Sequence, residues 1–529
     1  MKKILSGFVC LILCITLTVT AMGEIPVTDI PFATDYRTDD LNRVFYEIFV
    51  GSFSDSDGDG VGDIRGIINR MDYLNDGDPT SGLSLGVEGL WLTPVFMSPS
   101  YHKYDVADYY RVDPVFGTNE DLKELLDLCH ERNVLVILDL PINHTSVECR
   151  WFKNFRNARM MKSTTNEFYD FYSSLPEGAS IPADRHFMPV RNTGIRCEAN
   201  FSDEMPELNF DNPLVREKVL DVARYWLELG VDGFRFDAAK YIYYGDHEAS
   251  EEFWAWYIGE LKKIRPDVYT VAEVWDGEGI TDKYVPSMNC FNFAASQGGI
   301  IAETAKKGNV NKFTSYVRKT VERLRGIRPD AMNLLFISNH DMDRCAGYLT
   351  VSDGFMKMAA NLYLLSPGSP FIYYGEEIGL RGSRGSANTD ANRRLAMLWG
   401  DGDTVKDPEG TTYDPSKQTP YSVADLAEME EGLYQHYKKV LMVRAANPEI
   451  ARGTYRDLEF KDSKVGGFVS EWQGSRTAVF HNTTQNSKTV DLTVFPELEG
   501  MTVTTVLGDG AKLENGMLTL EGQTSVVMR

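Results

Sequence analysis

At 529 residues the chain has room for two or three domains around a large core, and 43% hydrophobic with 25% charged residues is the balance of an ordinary soluble globular protein. Its formal net charge of −23 argues against nucleic acid or an anionic membrane surface as a partner, while leaving a neutral substrate open. The 12% aromatic share suits stacking on neutral sugars, although core packing accounts for most such residues.

The first 23 residues read as an export signal. Lys2 and Lys3 precede an apolar run from Phe8 to Val19, and Ala21-Met22-Gly23 places small residues at −3 and −1 of a cut before Glu24. The alternative is an uncleaved anchor, because Ile4 to Met22 is just long enough to span a bilayer. Nothing later is long and apolar enough to span, so the mature protein is expected to be secreted or held at the cell surface, and to be a monomer. Cys10 and Cys14 fall in the signal. The remaining five cysteines contain no CxxC metal spacing, and Cys149 with Cys197 could pair, which sequence does not establish.

From residue 44, short β-branched and aromatic runs alternate with amphipathic helical patterns. The runs are Val44–Val50, Gly89–Val95, Val134–Leu140, Val231–Phe236, Val268–Val274, Cys290–Phe293, Asn333–Ser338 and Phe371–Tyr374. Glu120–Arg132, Pro213–Leu229, Glu251–Ile264 and Lys312–Leu324 are the clearest helices, and Asn212-Pro213 is a capped helix start. This alternation predicts an α/β fold, a (β/α)8 TIM barrel in two parts, 24–145 and 207–446. Between them, 146–206 is long, polar and aromatic-rich without a clear period, and is expected to be an inserted subdomain after the third strand. From 447 to 529, short alternating runs with turn signals predict a C-terminal antiparallel β-sandwich.

The loop after the first strand carries Asp55, Asp57, Asp59, Val61 and Asp63 at alternate positions among glycines. That is the ligand spacing of an EF-hand loop, with Val61 offering its carbonyl, and it predicts a structural Ca2+. A solvated acidic turn is the alternative.

Barrel enzymes build their sites at the C-terminal ends of the strands. There the third strand brings Asp139 to Asn143-His144, the fourth Arg235-Phe-Asp237, the fifth Glu273-Val-Trp275 and the seventh Asn339-His340-Asp341. Residues two apart on a strand share a face, so Arg235 and Asp237 point the same way. A buried structural ion pair would explain that pair alone, but not three converging acids with two histidines.

These stretches resemble the signature regions of the α-amylase family, glycoside hydrolase family 13: DLPINH at 139–144, GFRFDAAK at 233–240, EVW at 273–275 and SNHD at 338–341. GVEGLWLTP at 86–94, YHKYDVADY at 101–109, MPELN at 205–209 and YYGEEIG at 373–379 extend the likeness over roughly 40–450. The resemblance implies that Asp237 is the nucleophile, Glu273 the general acid/base and Asp341 the stabiliser of the transition state. It further implies that His144, Arg235 and His340 hydrogen-bond the sugar at the cleavage position, that Tyr104 stacks beneath it, and that Asp390 with Arg394 grips its far hydroxyls. Lys240 would contact the sugar beyond the cleaved bond. The 55–63 loop resembles a calcium loop of one branch of the family. A second calcium site common in the family takes a backbone carbonyl from a position that is Tyr241 here, and stays open.

Ala238 after the nucleophile resembles α-1,4-acting members, whereas MPELN resembles neopullulanase-like and intermediate ones. The expectation is an endo-acting α-1,4-glucanase on starch or maltodextrin, with an exo-acting α-glucosidase, maltogenic or neopullulanase-type enzyme as the alternative. A non-catalytic amylase-like partner subunit is a rival that the intact acids oppose. A polysaccharide-binding protein is another, opposed by the absence of an aromatic cluster in 447–529.

Overall fold

The computed structural model describes residues 42–349 and 353–529, so the expected export signal and its cut lie outside the described residues. Seven strands, β1 (Phe45–Ile48), β2 (Gly89–Leu92), β3 (Leu135–Leu140), β4 (Gly233–Phe236), β5 (Tyr269–Ala272), β6 (Asn289–Cys290) and β7 (Phe371–Tyr373), form one curled parallel sheet in the order β6-β5-β4-β3-β2-β1-β7. The run expected as a seventh strand, 333–338, is instead an irregular segment lying between the two sheet edges. Phe291 and Leu334 form a single parallel bridge, Asn292 N donates to Leu334 O (3.0 Å), and Phe371 N donates to Leu335 O (2.8 Å). Those bonds close the circle into a (β/α)8 barrel.

Period-two alternation decides what fills it. Phe45, Trp91, Ile137, Tyr269, Phe291, Leu334 and Phe371 make an apolar interior cluster. Glu47 follows Phe45 by two and pairs with Trp91 and Tyr373, while Asp139 follows Ile137 by two and pairs with Arg235. The inside of the barrel therefore turns from apolar to charged toward the strands' C-terminal ends.

Helices α1 (Ile64–Asn69), α2 (Asn119–Glu131), α3 (Pro213–Leu229), α4 (His247–Ile264), α5 (Val310–Ile327) and α6 (Asp353–Leu364) lie among those that surround the barrel. In α3 the Asn212 side chain accepts from Leu214 N and Pro213 opens the first turn. Val215, Val219, Val222, Ala223 and Trp226 then recur at three- and four-residue steps and are buried. Gly230 ends it with φ 122°, a conformation that favours glycine.

Residues 146–206 hold a helix, Arg150–Met160, and a three-stranded antiparallel sheet of Ser174–Pro176, Ile195–Glu198 and Phe187–Val190. Cys149 and Cys197 are both buried free thiols, so the optional disulfide is not formed. Cys149 sits at the start of the Arg150–Met160 helix, while the Cys197 thiol turns to Ser173 O at 3.2 Å. After the barrel, a five-stranded and a three-stranded antiparallel sheet enclose a second core around Leu458, Phe480, Leu518 and Val526. Their strands include Thr454–Glu459 and Ala511–Glu514. Asn311 of α5 donates to Phe460 O (2.7 Å) across the junction.

Candidate active site

β3, β4 and β5 deliver their polar residues to one mouth, and Arg235 gathers them. It is 1% exposed. Its Nη1 donates to Asp139 Oδ1 and to Asp237 Oδ1, each at 2.7 Å, and its Nη2 lies 3.0 Å from Glu273 Oε2. The chain then turns sharply. Ala238 takes a left-handed conformation (φ 49°), which aims its backbone N–H at Glu273 Oε2 (2.9 Å). A single guanidinium and one backbone N–H thus hold both acids.

Asp341 arrives from the 333–341 segment. His340 Nε2 lies 3.0 Å from its Oδ2, and Arg394 Nη2 donates to its Oδ1 (2.7 Å). Tyr104 Oη donates to Asp139 Oδ2 (2.7 Å) and lies 2.7 Å from His340 Nε2, with the two rings stacked at 5.5 Å. A cavity of about 760 Å³ opens above these groups, lined by Tyr104, His144, Asp237, Lys240, Glu273, Asp341, Asp390 and Arg394 among others.

Burial pushes Glu273 up to about 7, reinforced by the negative charges of Asp237 and Asp341 and opposed by Arg235. Burial likewise raises Asp237, to about 6, because Arg235 is shared with Asp139 and Glu273 and cannot fully offset it. Asp341 goes the other way: burial opposes its charge, but His340 and Arg394 outweigh it and hold the carboxyl well below the ordinary range. His144 is buried and held near about 4, hence neutral, and neither ring nitrogen makes a well-shaped hydrogen bond within the chain.

The remaining predicted site residues fall as follows. Arg235 and His340 sit just beneath the cavity, with their donors turned to carboxylates and Tyr104. Lys240 Nζ donates to Trp275 O (2.8 Å) and Asp276 Oδ2 (3.0 Å) at the rim. Asp390 and Arg394 both line the cavity but do not pair with each other. Asp390 binds Arg384 (2.7 Å) and Arg393 (2.9 Å), while Arg394 binds Asp341.

In the 55–63 loop, carboxylate oxygens of Asp55, Asp57 and Asp63 lie within 4.8 Å of one another. Gly58 and Gly60, with φ 88° and 97°, curl the chain so that Asp55 accepts backbone N–H groups from Gly58 (2.7 Å) and Gly60 (2.8 Å). Burial works against the Asp55 charge, but Thr404 and those amides hold its carboxyl below the ordinary value. Such a cluster of oxygen donors fits a hard cation. Asp59 does not join it; its Oδ1 accepts from Val61 N (2.7 Å).

The family profile described as "Alpha amylase, catalytic domain" matches residues 47–453. The chain belongs to the α-amylase family. This glycoside hydrolase is 37% identical over 446 residues to Alpha-amylase 3 of Dictyoglomus thermophilum, covering 83% of this chain and 84% of that protein. A 4-alpha-glucanotransferase of Thermotoga neapolitana is 32% identical over 353 residues, covering 65% and 74%. The solved structure of Eubacterium rectale Amy13B superposes with a TM-score of 0.85 at 30% identity, covering 94% of this chain and 96% of that one. Since the first two names describe different activities, membership alone leaves the reaction's acceptor and bond to the site.

Several groups in or beneath this α-amylase-family cavity are not among the site residues that the sequence motifs mark. Asp139, near the end of its strand, anchors both Arg235 and Tyr104. Glu47, an inward acid in an otherwise apolar strand, reaches His340 (2.5 Å). Phe201 and Trp275, 46% and 43% exposed, line the rim, and Trp275 stacks on Phe293 at 4.9 Å. In the inserted segment, Glu198 is paired with Arg185 (2.6 Å), and Asn200 Nδ2 bridges Glu198 and Glu207 (2.8 Å each).

Proposed function

We propose that this glycoside hydrolase cuts α-1,4-glucosidic bonds within starch or maltodextrin chains, with retention of configuration. The observation that carries the reading is the Arg235 guanidinium, which holds Asp237 and Glu273 on adjacent nitrogens while Asp341 faces them from the irregular 333–341 segment. That close spacing suits a retaining pair rather than an inverting pair separated by a water.

In the first step protonated Glu273 gives its proton to the glycosidic oxygen as the bond to C1 breaks. An Asp237 oxygen attacks C1 and forms a glycosyl ester. In the second step the Glu273 carboxylate takes a proton from water, whose oxygen attacks C1 and releases Asp237. Asp341, held anionic by His340 and Arg394, faces the positive charge that develops on the sugar ring. Neutral His144 offers one donor and one acceptor to sugar hydroxyls, and Tyr104 and Arg394 bound the same end of the cavity.

The α-1,4 bond is supported by Ala238, and internal cleavage by the name of the Dictyoglomus relative. Transfer to a second sugar in place of water is a further reading. It is favoured by exposed Trp275 and Phe201 at the rim, where the first lies two residues from the acid that protonates the leaving chain, and by the name of the Thermotoga relative. Asp55, Asp57 and Asp63 would hold a structural calcium, which supplies no step of the reaction. Among the described residues no helix is long and apolar enough to cross a membrane, and export by residues 1–23 fits a polymeric substrate too large to import.

A time-resolved product profile of residues 24–529 on soluble starch, pullulan and isomaltose tests the reading. Early mid-length maltooligosaccharides from starch, with isomaltose intact, are expected. Glucose from the outset, or consumption of isomaltose, would overturn internal α-1,4 cleavage. Asp237→Asn should lower turnover roughly a thousandfold or more while oligosaccharides still bind.

A further inference from the structure

The buried acid of β1 has no place in the reaction so far. Glu47 is 1% exposed, and its Oε1 lies 2.5 Å from His340 Nδ1 and accepts from His340 N at 3.3 Å. His340 is wholly buried, and its other nitrogen, Nε2, faces Asp341 Oδ2 at 3.0 Å and Tyr104 Oη at 2.7 Å. Because Tyr104 spends its own proton on Asp139, its oxygen can only accept from the ring. Both ring nitrogens are therefore met by acceptors. A neutral imidazole has one N–H, so either tautomer would turn a bare lone pair on a carboxylate. The doubly protonated ring satisfies both sides at once, whereas a neutral ring would need one of the two carboxyls to carry a proton in its place.

We infer that Glu47 is a positioning residue for the reaction: by taking the Nδ1 proton of His340 it keeps that ring cationic, and so fixes Asp341 and Tyr104 at the cavity floor. The surrounding charges agree with this assignment. Asp139 on β3 and Asp341 favour the cation, Arg394 reaches the His340 carbonyl (3.1 Å), and Arg235 on β4 is spread over three other carboxylates. Tyr373 on β7 stands beside Glu47 in the register, and Trp91 on β2 presents its ring edge-on to His340 at 5.7 Å. Glu47 matters to turnover only if Asp341 has the role proposed above.

Two measurements on the mature chain separate the possibilities. Histidine-selective ¹⁵N labelling reads ring protonation directly, and with eight histidines in the sequence the His340 signal is assignable by its loss in His340→Gln. In the wild type both His340 nitrogens should stay protonated at about pH 8, where an ordinary histidine is neutral. A neutral wild-type ring would overturn the inference without any variant. Glu47→Gln keeps the shape and an acceptor but removes the charge. Its ring should be neutral at that pH, and kcat should fall about 10-fold with KM changed less than about 3-fold, a milder loss than deleting a direct transition-state contact. Glu47→Asp, which restores the charge, should restore the doubly protonated ring. A folded Glu47→Gln enzyme with an unchanged kcat would also overturn the positioning role. Should Asp341→Asn itself retain turnover, the proposed reaction fails instead, and the ring signal still decides the Glu47–His340 pairing.

Discussion

Asp237 and Glu273 share one guanidinium, and burial raises both carboxyls above the ordinary range, which places the expected working pH near neutrality. In the proposed reaction the productive state has Asp237 ionised and Glu273 protonated. Asp237 is raised to about 6, so activity should rise as pH climbs through that value; Glu273 is raised to about 7, so activity should fall as pH climbs further. The expected outcome is a narrow bell in kcat/KM centred between the two values. A flat profile from about pH 5 to about pH 9 would contradict the environments described for both acids. These acids were legible in the sequence because each ends an apolar strand, where a carboxylate is costly without a use. Glu47 and Asp139 were less so. Each stands in the middle or near the end of a buried run, and only the register shows that it points inward beside His340 or Arg235.

At the scale of elements, β4 depends on a residue with no side chain. A Cβ on Gly233 would come within 1.9 Å of the Tyr269 carbonyl oxygen on neighbouring β5. Two backbones cannot separate to admit a methyl group without breaking the β4–β5 pairing that aligns Arg235 with Val271. Gly233→Ala should therefore destabilise the protein by about 3 kcal/mol or more, seen as a lowered Tm with lost activity, whereas Gly277→Ala, with open space around its Cβ, should be nearly neutral. Equal effects from both substitutions would rule out the close approach. The strands of the barrel were readable because both faces are buried and the runs are continuously apolar. The 333–338 run reads the same way but forms only a single bridge on its β6 side, a distinction that hydrogen bonding settles and hydropathy does not. Conversely, the Arg150–Met160 helix buries just Phe152, Phe155 and Ala158 amid charged residues, too sparse a stripe to stand out.

At the scale of the whole molecule, the 55–63 loop joins parts of the chain that are remote in sequence. Thr404 donates to Asp55 (2.6 Å), Ser54 donates to Asp403 (2.6 Å), and Lys406 N donates to Gly60 O (2.9 Å). Asp63 meanwhile caps α1 through Gly66 N (2.6 Å). Three carboxylates at one point repel each other unless a cation neutralises them, so bound calcium would stabilise the native state and not the unfolded chain, where the three are apart. At free calcium about 100-fold above its dissociation constant the gain is roughly 2.7 kcal/mol, and chelation should lower Tm correspondingly. Asp57→Ala removes one ligand while leaving the Asp55 and Asp63 backbone contacts in place. Its Tm should be lower than wild type in calcium and should no longer respond to chelator. A wild-type Tm that ignores both calcium and chelator would mean the loop is held by its own amides alone. A calcium response that survives Asp57→Ala would place the ion elsewhere. Because no residue of the loop lines the cavity around Asp237 and Glu273, chelation below the melting range should leave kcat unchanged, which distinguishes a metal that holds the barrel together from one that enters the reaction.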